Sequence, residues 1–144
     1  MKRLMCKGKI HRATVTEAEL HYVGSITIDI DLLKASNILP YEMVQVTSLT
    51  NATRWKTYAI PAKAGSGKIC LNGPPAHLFA PGDLVVIFSM GEMEEDEWKK
   101  LAPRVVFVDE KNKITHCVDH PLFNDEGEVN WEQLIPNNTI TNIV

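Results

Sequence analysis

The side chain best placed to react with its own backbone is that of Ser25. It follows Gly24 in the stretch His21-Tyr22-Val23-Gly24-Ser25 and leads into an alternating run, Ile26-Thr27-Ile28-Asp29-Ile30. Glycine tolerates backbone angles that other residues avoid, so Gly24 suits a tight entry into a sheet and by itself marks only a turn. A serine hydroxyl beside a flexible glycine can nevertheless reach the preceding carbonyl carbon. That geometry permits an N-to-O acyl shift, in which Ser25 Oγ attacks the Gly24 carbonyl and turns the amide into an ester. The surroundings strengthen this reading: Tyr22 lies beside the pair, a basic stretch Lys7-Gly8-Lys9-Ile10-His11-Arg12 lies upstream, and hydroxyl, amide and arginine groups recur downstream.

These groups must be held by a scaffold, and 144 residues suffice for one domain that buries about two-thirds of its unfolded surface. A hydrophobic content of 44% and a charged fraction of 23% exclude wholesale disorder but not any functional class. Net charge is −3, with residues 1–25 holding five Lys or Arg against two Glu and the remainder at −6. A nucleic-acid partner is therefore disfavoured. No stretch approaches the roughly 18 apolar residues of a membrane helix, and the N-terminus lacks a signal-like apolar run. The chain reads as soluble and cytoplasmic. Cys6, Cys70 and Cys117 match no zinc or CxxC spacing, and reduced thiols are the simplest account.

Strands dominate the pattern. Leu4 to Val15 reads as a β-ribbon, with Gly8 where a strand bends or meets another backbone, and Ile26 to Ile30 is the clearest period-two strand. Asp31 is expected to cap a short helix through Leu32, Leu33 and Ala35. Met43 to Leu49 and Trp55 to Ile60 read as strands joined by a turn at Asn51 and Ala52. Lys63 to Lys68 resembles a phosphate loop only superficially, because Ile69 stands where Ser or Thr is needed, and a hairpin loop is expected. Ile69 to Leu71 is a short strand, Ala76 to Phe79 a turn of helix, Pro81-Gly82-Asp83 a turn, and Leu84 to Phe88 a strand buried on both faces. Glu92 to Lys100 carries acids before bases, the order that suits a surface helix, and Arg104 to Val108 closes the strand set. So many short strands favour a small β-barrel, which leaves no open edge. Beyond residue 115 the chain reads as an appended C-terminal extension, residues 116–144. His116, Cys117, Asp119 and His120 there have metal-ligand chemistry, but incidental residues on a solvated tail are the simpler reading, and no metal is expected.

Two stretches, Lys7-Gly8-Lys9-Ile10-His11-Arg12-Ala13-Thr14-Val15-Thr16 and His21-Tyr22-Val23-Gly24-Ser25-Ile26-Thr27-Ile28-Asp29, resemble the N-terminal motif of the pyruvoyl-dependent aspartate 1-decarboxylases. The resemblance continues through Arg54, Thr57-Tyr58, Gly65-Ser66-Gly67, Asn72-Gly73, Ala76-His77-Leu78, Pro81 to Val85 and Pro103 to Asp109, and so covers residues 1–115. It implies a six- to seven-stranded double-psi β-barrel, assembled as a homotetramer with active sites between subunits, and a possible maturation factor as partner. It also implies a zymogen that cuts itself between Gly24 and Ser25. β-Elimination of the ester and loss of ammonia would convert Ser25 into a covalent pyruvoyl group, which takes the electron-sink role that pyridoxal phosphate, not needed here, plays elsewhere.

The implied substrate is L-aspartate, bound as a Schiff base on the pyruvoyl group, and the implied products are β-alanine and carbon dioxide, which feed pantothenate and coenzyme A synthesis. By resemblance Arg54 grips the retained carboxylate and Lys9 is a second cation of the site. Tyr58 matches the proton donor. Thr57 matches a hydroxyl used in processing and substrate contact, and Asn72, Gly73, Pro74 and Pro75 match the substrate-binding turn, with Asn72 also suited to donate to the oxyanion of the acyl shift. Tyr22 and His11 would line the pocket. Two departures stand out: Pro74 and Pro75 replace alanines and offer no N–H, and Asn51-Ala52 replaces Asn-Gly in the turn before Arg54.

Overall fold

The computed structural model describes Met1 to Pro136; the last eight residues of the C-terminal extension lie outside the described residues. It contains nine strands, β1 (Arg3–Thr14), β2 (Glu17–Glu19), β3 (Ser25–Asp29), β4 (Met43–Ser48), β5 (Arg54–Ala62), β6 (Ile69–Asn72), β7 (Leu84–Met93), β8 (Arg104–Val108) and β9 (Ile114–Asp119). Two short helices, α1 (Ile30–Ala35) and α2 (Glu95–Trp98), and a 3-10 turn at Pro74–His77 complete the set.

The strand order is β2-β6-β3-β5-β4-β7-β1-β8-β9. β1 and β2 stand far apart in that order, yet only Val15 and Thr16 separate them in the chain, so the sheet must roll up on itself. The Thr16 N–H donates to Ile69 O at 2.8 Å and the Val15 N–H to Asp83 O at 2.8 Å, which fasten the seam. The result is a small barrel-like sheet. Its interior holds Ile10, Ile26, Ile28, Val46, Ile69, Leu71, Val85, Ile87 and Val106, all fully buried, and α1 adds Leu32 and Leu33. Alternation of core and outward residues along each strand follows from the period of two. Among the described residues no helix is long and apolar enough to cross a membrane.

Gly8 behaves as its position in β1 suggests. The pairing with β7 shifts register between Cys6 and Gly8, and a Cβ at Gly8 would lie 2.3 Å from Ser36 O. Only glycine lets the end of α1 approach this closely.

Several expectations from sequence are corrected. α1 is capped by Asp29, not Asp31: Asp29 Oδ1 accepts from the Asp31 N–H at 2.8 Å. Lys63 to Lys68 is not a hairpin loop, because β5 and β6 each pair with β3, which lies between them. β7 is buried on one face only, alternates from Leu84 to Ser89 and runs on to Met93. The expected helix from Glu92 therefore shrinks to one turn, which begins with a capping box between Glu94 and Glu97. β9 spans the point at which the sequence changes character and pairs antiparallel with β8, with Arg104 and Asp119 forming a two-bonded ion pair across the ladder. Among the described residues nine strands form one sheet with short helices, a mainly β fold consistent with the small barrel expected.

Candidate functional site

β3 opens at Ser25 between two partners. On one side runs β6, antiparallel, with Ser25 opposite Asn72 and Thr27 opposite Cys70. On the other runs β5, parallel, with Ile26 beside Ala59, so one step back along the register Ser25 lies beside Tyr58. Ile26, Ile28, Leu71 and Ala59 take the core face, and Ser25, Thr27, Cys70, Asn72 and Tyr58 take the other.

Ser25 is 1% exposed and Asn72 2% exposed. The Asn72 carboxamide nitrogen donates to Ser25 Oγ at 3.1 Å and to Thr27 Oγ1 at 2.8 Å, and its oxygen accepts from the Cys70 thiol at 3.0 Å. Burial raises the Cys70 pKa, with Glu17 adding to the effect, and this keeps the thiol protonated and able to donate. Asn72 thus holds the Ser25 hydroxyl oxygen itself. Both its amide hydrogens are engaged by hydroxyls, so service to an oxyanion at Gly24 would require one of them to turn. Ser25 has φ of 153°, a backbone angle costly for an L residue, so the residue after the Gly24-Ser25 bond carries local strain.

Gly73 closes the site from the other side. Its φ is +78°, and a Cβ there would lie 3.2 Å from Gly24 Cα. The positive φ and the approach to Gly24 both require glycine. The Gly73 N–H donates to Glu19 O at 2.9 Å. Pro74 and Pro75 occupy the first two positions of the 3-10 turn, where a missing N–H costs nothing. Tyr22, next to the candidate bond, is 63% exposed.

Tyr58 stacks on Tyr41 with ring centroids 5.3 Å apart and planes 7° from parallel, which fixes the phenol relative to β5. Thr57 is buried opposite Val44, on the core side. Arg54 begins β5 opposite Thr47, on the same outward face as Tyr58. The altered turn before it still closes: Ser48 donates to Thr53 O, Ala52 donates to Ser48 O, and Ala52 takes the left-handed conformation at φ +60°. Arg54 keeps its place in the ladder.

Lys9 and His11 lie on β1. Lys9 pairs with Phe88, Phe88 with Gln45 and Gln45 with Lys56, a row of outward side chains across four strands. Along the sheet order β1 stands four strands from β3. His11 packs edge-on against Phe107, its Nδ1 buried without a partner. Burial, then the charges of Lys9 and Arg12, lower its pKa. His116 stacks on the same Phe107, and Asp119 is engaged by Arg104. Among the described residues no group of three His, Cys, Asp or Glu side chains could hold a metal.

Thr27, Cys70 and Tyr41 were not singled out from sequence. Their signal was present only as alternation, since Thr27 sits two residues from Ser25 and Cys70 two from Asn72, but the pairing that joins them is non-local.

Residues 1–115 match a family model described as aspartate decarboxylase. The aspartate 1-decarboxylase of Moorella thermoacetica is 54% identical over 115 residues, 80% of this chain and 90% of that protein. That of Acetivibrio thermocellus is 57% identical over 110 residues, 76% of this chain and 87% of that protein. The match takes in both sides of the Gly24-Ser25 bond and every strand from β1 to β8, and the chain belongs to the aspartate decarboxylase family.

Proposed function

We propose that the chain cuts itself between Gly24 and Ser25 and then decarboxylates L-aspartate to β-alanine and carbon dioxide, the step that supplies β-alanine to pantothenate synthesis. The observation that carries this reading is the buried Ser25 Oγ, held by the Asn72 carboxamide one residue after an unhindered glycine. Ser25 Oγ attacks the Gly24 carbonyl carbon, the C–N bond breaks, and the hydroxyl proton passes to the new amine. Loss of the Ser25 α-proton then expels Gly24 as a carboxylate, and water releases ammonia from the residue left behind.

A pyruvoyl group at position 25 supplies an electrophilic carbonyl that draws electrons from the α-carbon of a bound amino acid. The position fits it: a small, buried, strand-opening residue with an amide donor aimed at it. The other residues bind and move protons. Arg54 holds the side-chain carboxylate that aspartate retains, because a grip on the departing carboxylate would stabilise the ground state instead. Tyr58 Oη gives its proton to the carbon that loses carbon dioxide, with Tyr41 fixing the ring. Thr57 serves processing and substrate contact, and Lys9 adds positive charge.

The chain assembles as a homotetramer of double-psi barrels whose sites lie between neighbouring copies, because a small barrel has little room for a deep pocket of its own. The outward apolar residues Leu4, Leu39, Tyr41 and Met43 would be covered in such an assembly. Residues 1–115 form the catalytic domain in this reading, and the extension 116–144 lends its first residues to β9. The enzyme works in the cytoplasm, and processing has room for a maturation factor.

Intact mass on denatured protein, together with a β-alanine assay, tests the proposal. Two fragments are expected, one ending at Gly24 and one starting at position 25 that is lighter by one ammonia than an N-terminal serine would make it. Ser25→Ala should abolish both cleavage and activity, whereas Tyr58→Phe should cleave but not turn over. A full-length mass after prolonged warm incubation would refute the processed-enzyme reading for the isolated chain, and full activity in Tyr58→Phe would refute its role.

A further inference from the structure

Asn72 is a flexible side chain asked to hold one orientation. Its carboxamide can flip or rotate, and either motion would take the N–H away from Ser25 Oγ. Two neighbours oppose this. Thr27 Oγ1 accepts the second amide hydrogen at 2.8 Å, closer than Ser25 Oγ at 3.1 Å, and the Cys70 thiol donates to the amide oxygen at 3.0 Å. The four residues form two directly opposed pairs on one face of β3 and β6, Ser25 with Asn72 and Thr27 with Cys70. Cys70 and Asn72 are each 2% exposed, so water is poorly placed to substitute for either partner.

We propose that Thr27 and Cys70 are positioning residues for self-cleavage, which between them fix the plane of the Asn72 carboxamide so that one N–H stays at the Ser25 linkage. The inference rests on the self-cleavage reading above. With one hydrogen pinned on Thr27, the other is free to follow the charge as it moves from Ser25 Oγ toward the carbonyl oxygen of Gly24, a turn of the amide about a fixed contact. Without the pin, the carboxamide must be ordered anew in each attempt, and the rate falls.

The test compares removal of each partner with its conservative replacement. Thr27→Val keeps shape and loses the acceptor, and Thr27→Ser restores it; Cys70→Ala loses the donor, and Cys70→Ser restores it. First-order cleavage is followed by intact mass beside unmodified protein, and thermal melts verify folding. One lost hydrogen bond of this kind corresponds to a rate loss of about tenfold. Thr27→Val and Cys70→Ala should therefore cleave about tenfold slower, the two serine variants within about threefold of the parent, and KM for aspartate in the processed protein should not move.

In the uncleavable Ser25→Ala background, hydrogen exchange of the Asn72 side-chain amide gives a second readout, expected to quicken on addition of Thr27→Val. Equal cleavage rates in all four variants overturn the proposal and leave the self-cleaving enzyme standing, as does serine failing to rescue, which would point to packing. An unmodified isolated chain that never cleaves overturns both for the chain acting alone.

Discussion

Asp29 holds the far end of the strand that Ser25 opens, and its replacement isolates what scaffold contributes from what chemistry contributes. Its carboxylate is 2% exposed and accepts three backbone N–H groups: Oδ1 takes Asp31 at 2.8 Å and Gly65 at 3.2 Å, and Oδ2 takes Gly67 at 2.8 Å. One side chain therefore caps α1 and ties down the Lys63–Lys68 connection. Loss of a cap costs about 1 kcal/mol, and each hydrogen bond to a charged group contributes about 1.5–3 kcal/mol. Asp29→Ala should then destabilise the fold by about 4–7 kcal/mol, a large share of a typical 5–15 kcal/mol. Asp29→Asn is the sharper probe. Its single carbonyl oxygen can serve the Asp31 and Gly65 pair or Gly67, and the amide then faces an N–H donor to donor. It should lose at least about half as much as alanine, although its shape is unchanged. The assay is denaturant unfolding at fixed chain concentration, because association would shift the midpoint. Cleavage at a permissive temperature should proceed at the parent rate. A loss under about 1 kcal/mol for Asp29→Ala, or an asparagine variant as stable as the parent, would refute the account of this carboxylate.

Two further substitutions test local reasoning. Ala52 sits at φ +60°, where a Cβ costs about 1 kcal/mol; Ala52→Gly should raise stability by about that amount in a thermal melt, with activity unchanged because Arg54 keeps its register, and a drop in stability would contradict this. His11 titrates below its ordinary value of 6.5, through burial first and then Lys9 and Arg12. As pH falls through 6.5 the unfolded chain takes up this proton before the folded one, so His11 makes stability decline until pH passes below the folded pKa, and it contributes no slope above 6.5. His11→Gln should flatten stability against pH in that window, and an unchanged slope would exclude His11 as its source.

The parts of the fold readable from sequence are those with local causes. β3 follows from Ile26, Ile28 and the alternating Thr27 and Asp29, and the Gly8 bulge from a glycine inside a strand pattern. The parts that were not readable depend on who pairs with whom. Lys63 to Lys68 looks like a hairpin because its flanks are strands, but β3 takes both flanks as partners from forty residues earlier. Asp29 and Asp31 are equally good caps by type; only the presence of Gly65 and Gly67 beside Asp29 decides between them. The proposed reactive pair Gly24-Ser25 is readable from sequence because the chemistry it would need lies in adjacent residues. The partners Thr27 and Cys70 were not, because they meet Asn72 through strand register alone.

The same register argument bears on Pro74 and Pro75. A turn beside Ser25 can contact a substrate through backbone N–H groups only if those groups are free. The Gly73 N–H is taken by Glu19 O at 2.9 Å, the two prolines have none, and the Ala76 N–H is turned back onto Gly73 O at 3.0 Å. No donor therefore remains from residue 73 to residue 76, and the turn acts by shape and by its carbonyls. Glu19 belongs to the piece that ends at Gly24, so cleavage does not automatically free Gly73: β1 on that piece is an interior strand, paired with both β7 and β8, and it stays in the sheet after the bond is cut. What the proposed cleavage would loosen is the short span from Leu20 to Gly24, which carries the exposed Tyr22 and Val23. On the proposed cleavage, that span would be free to move while Gly73 stays held by Glu19.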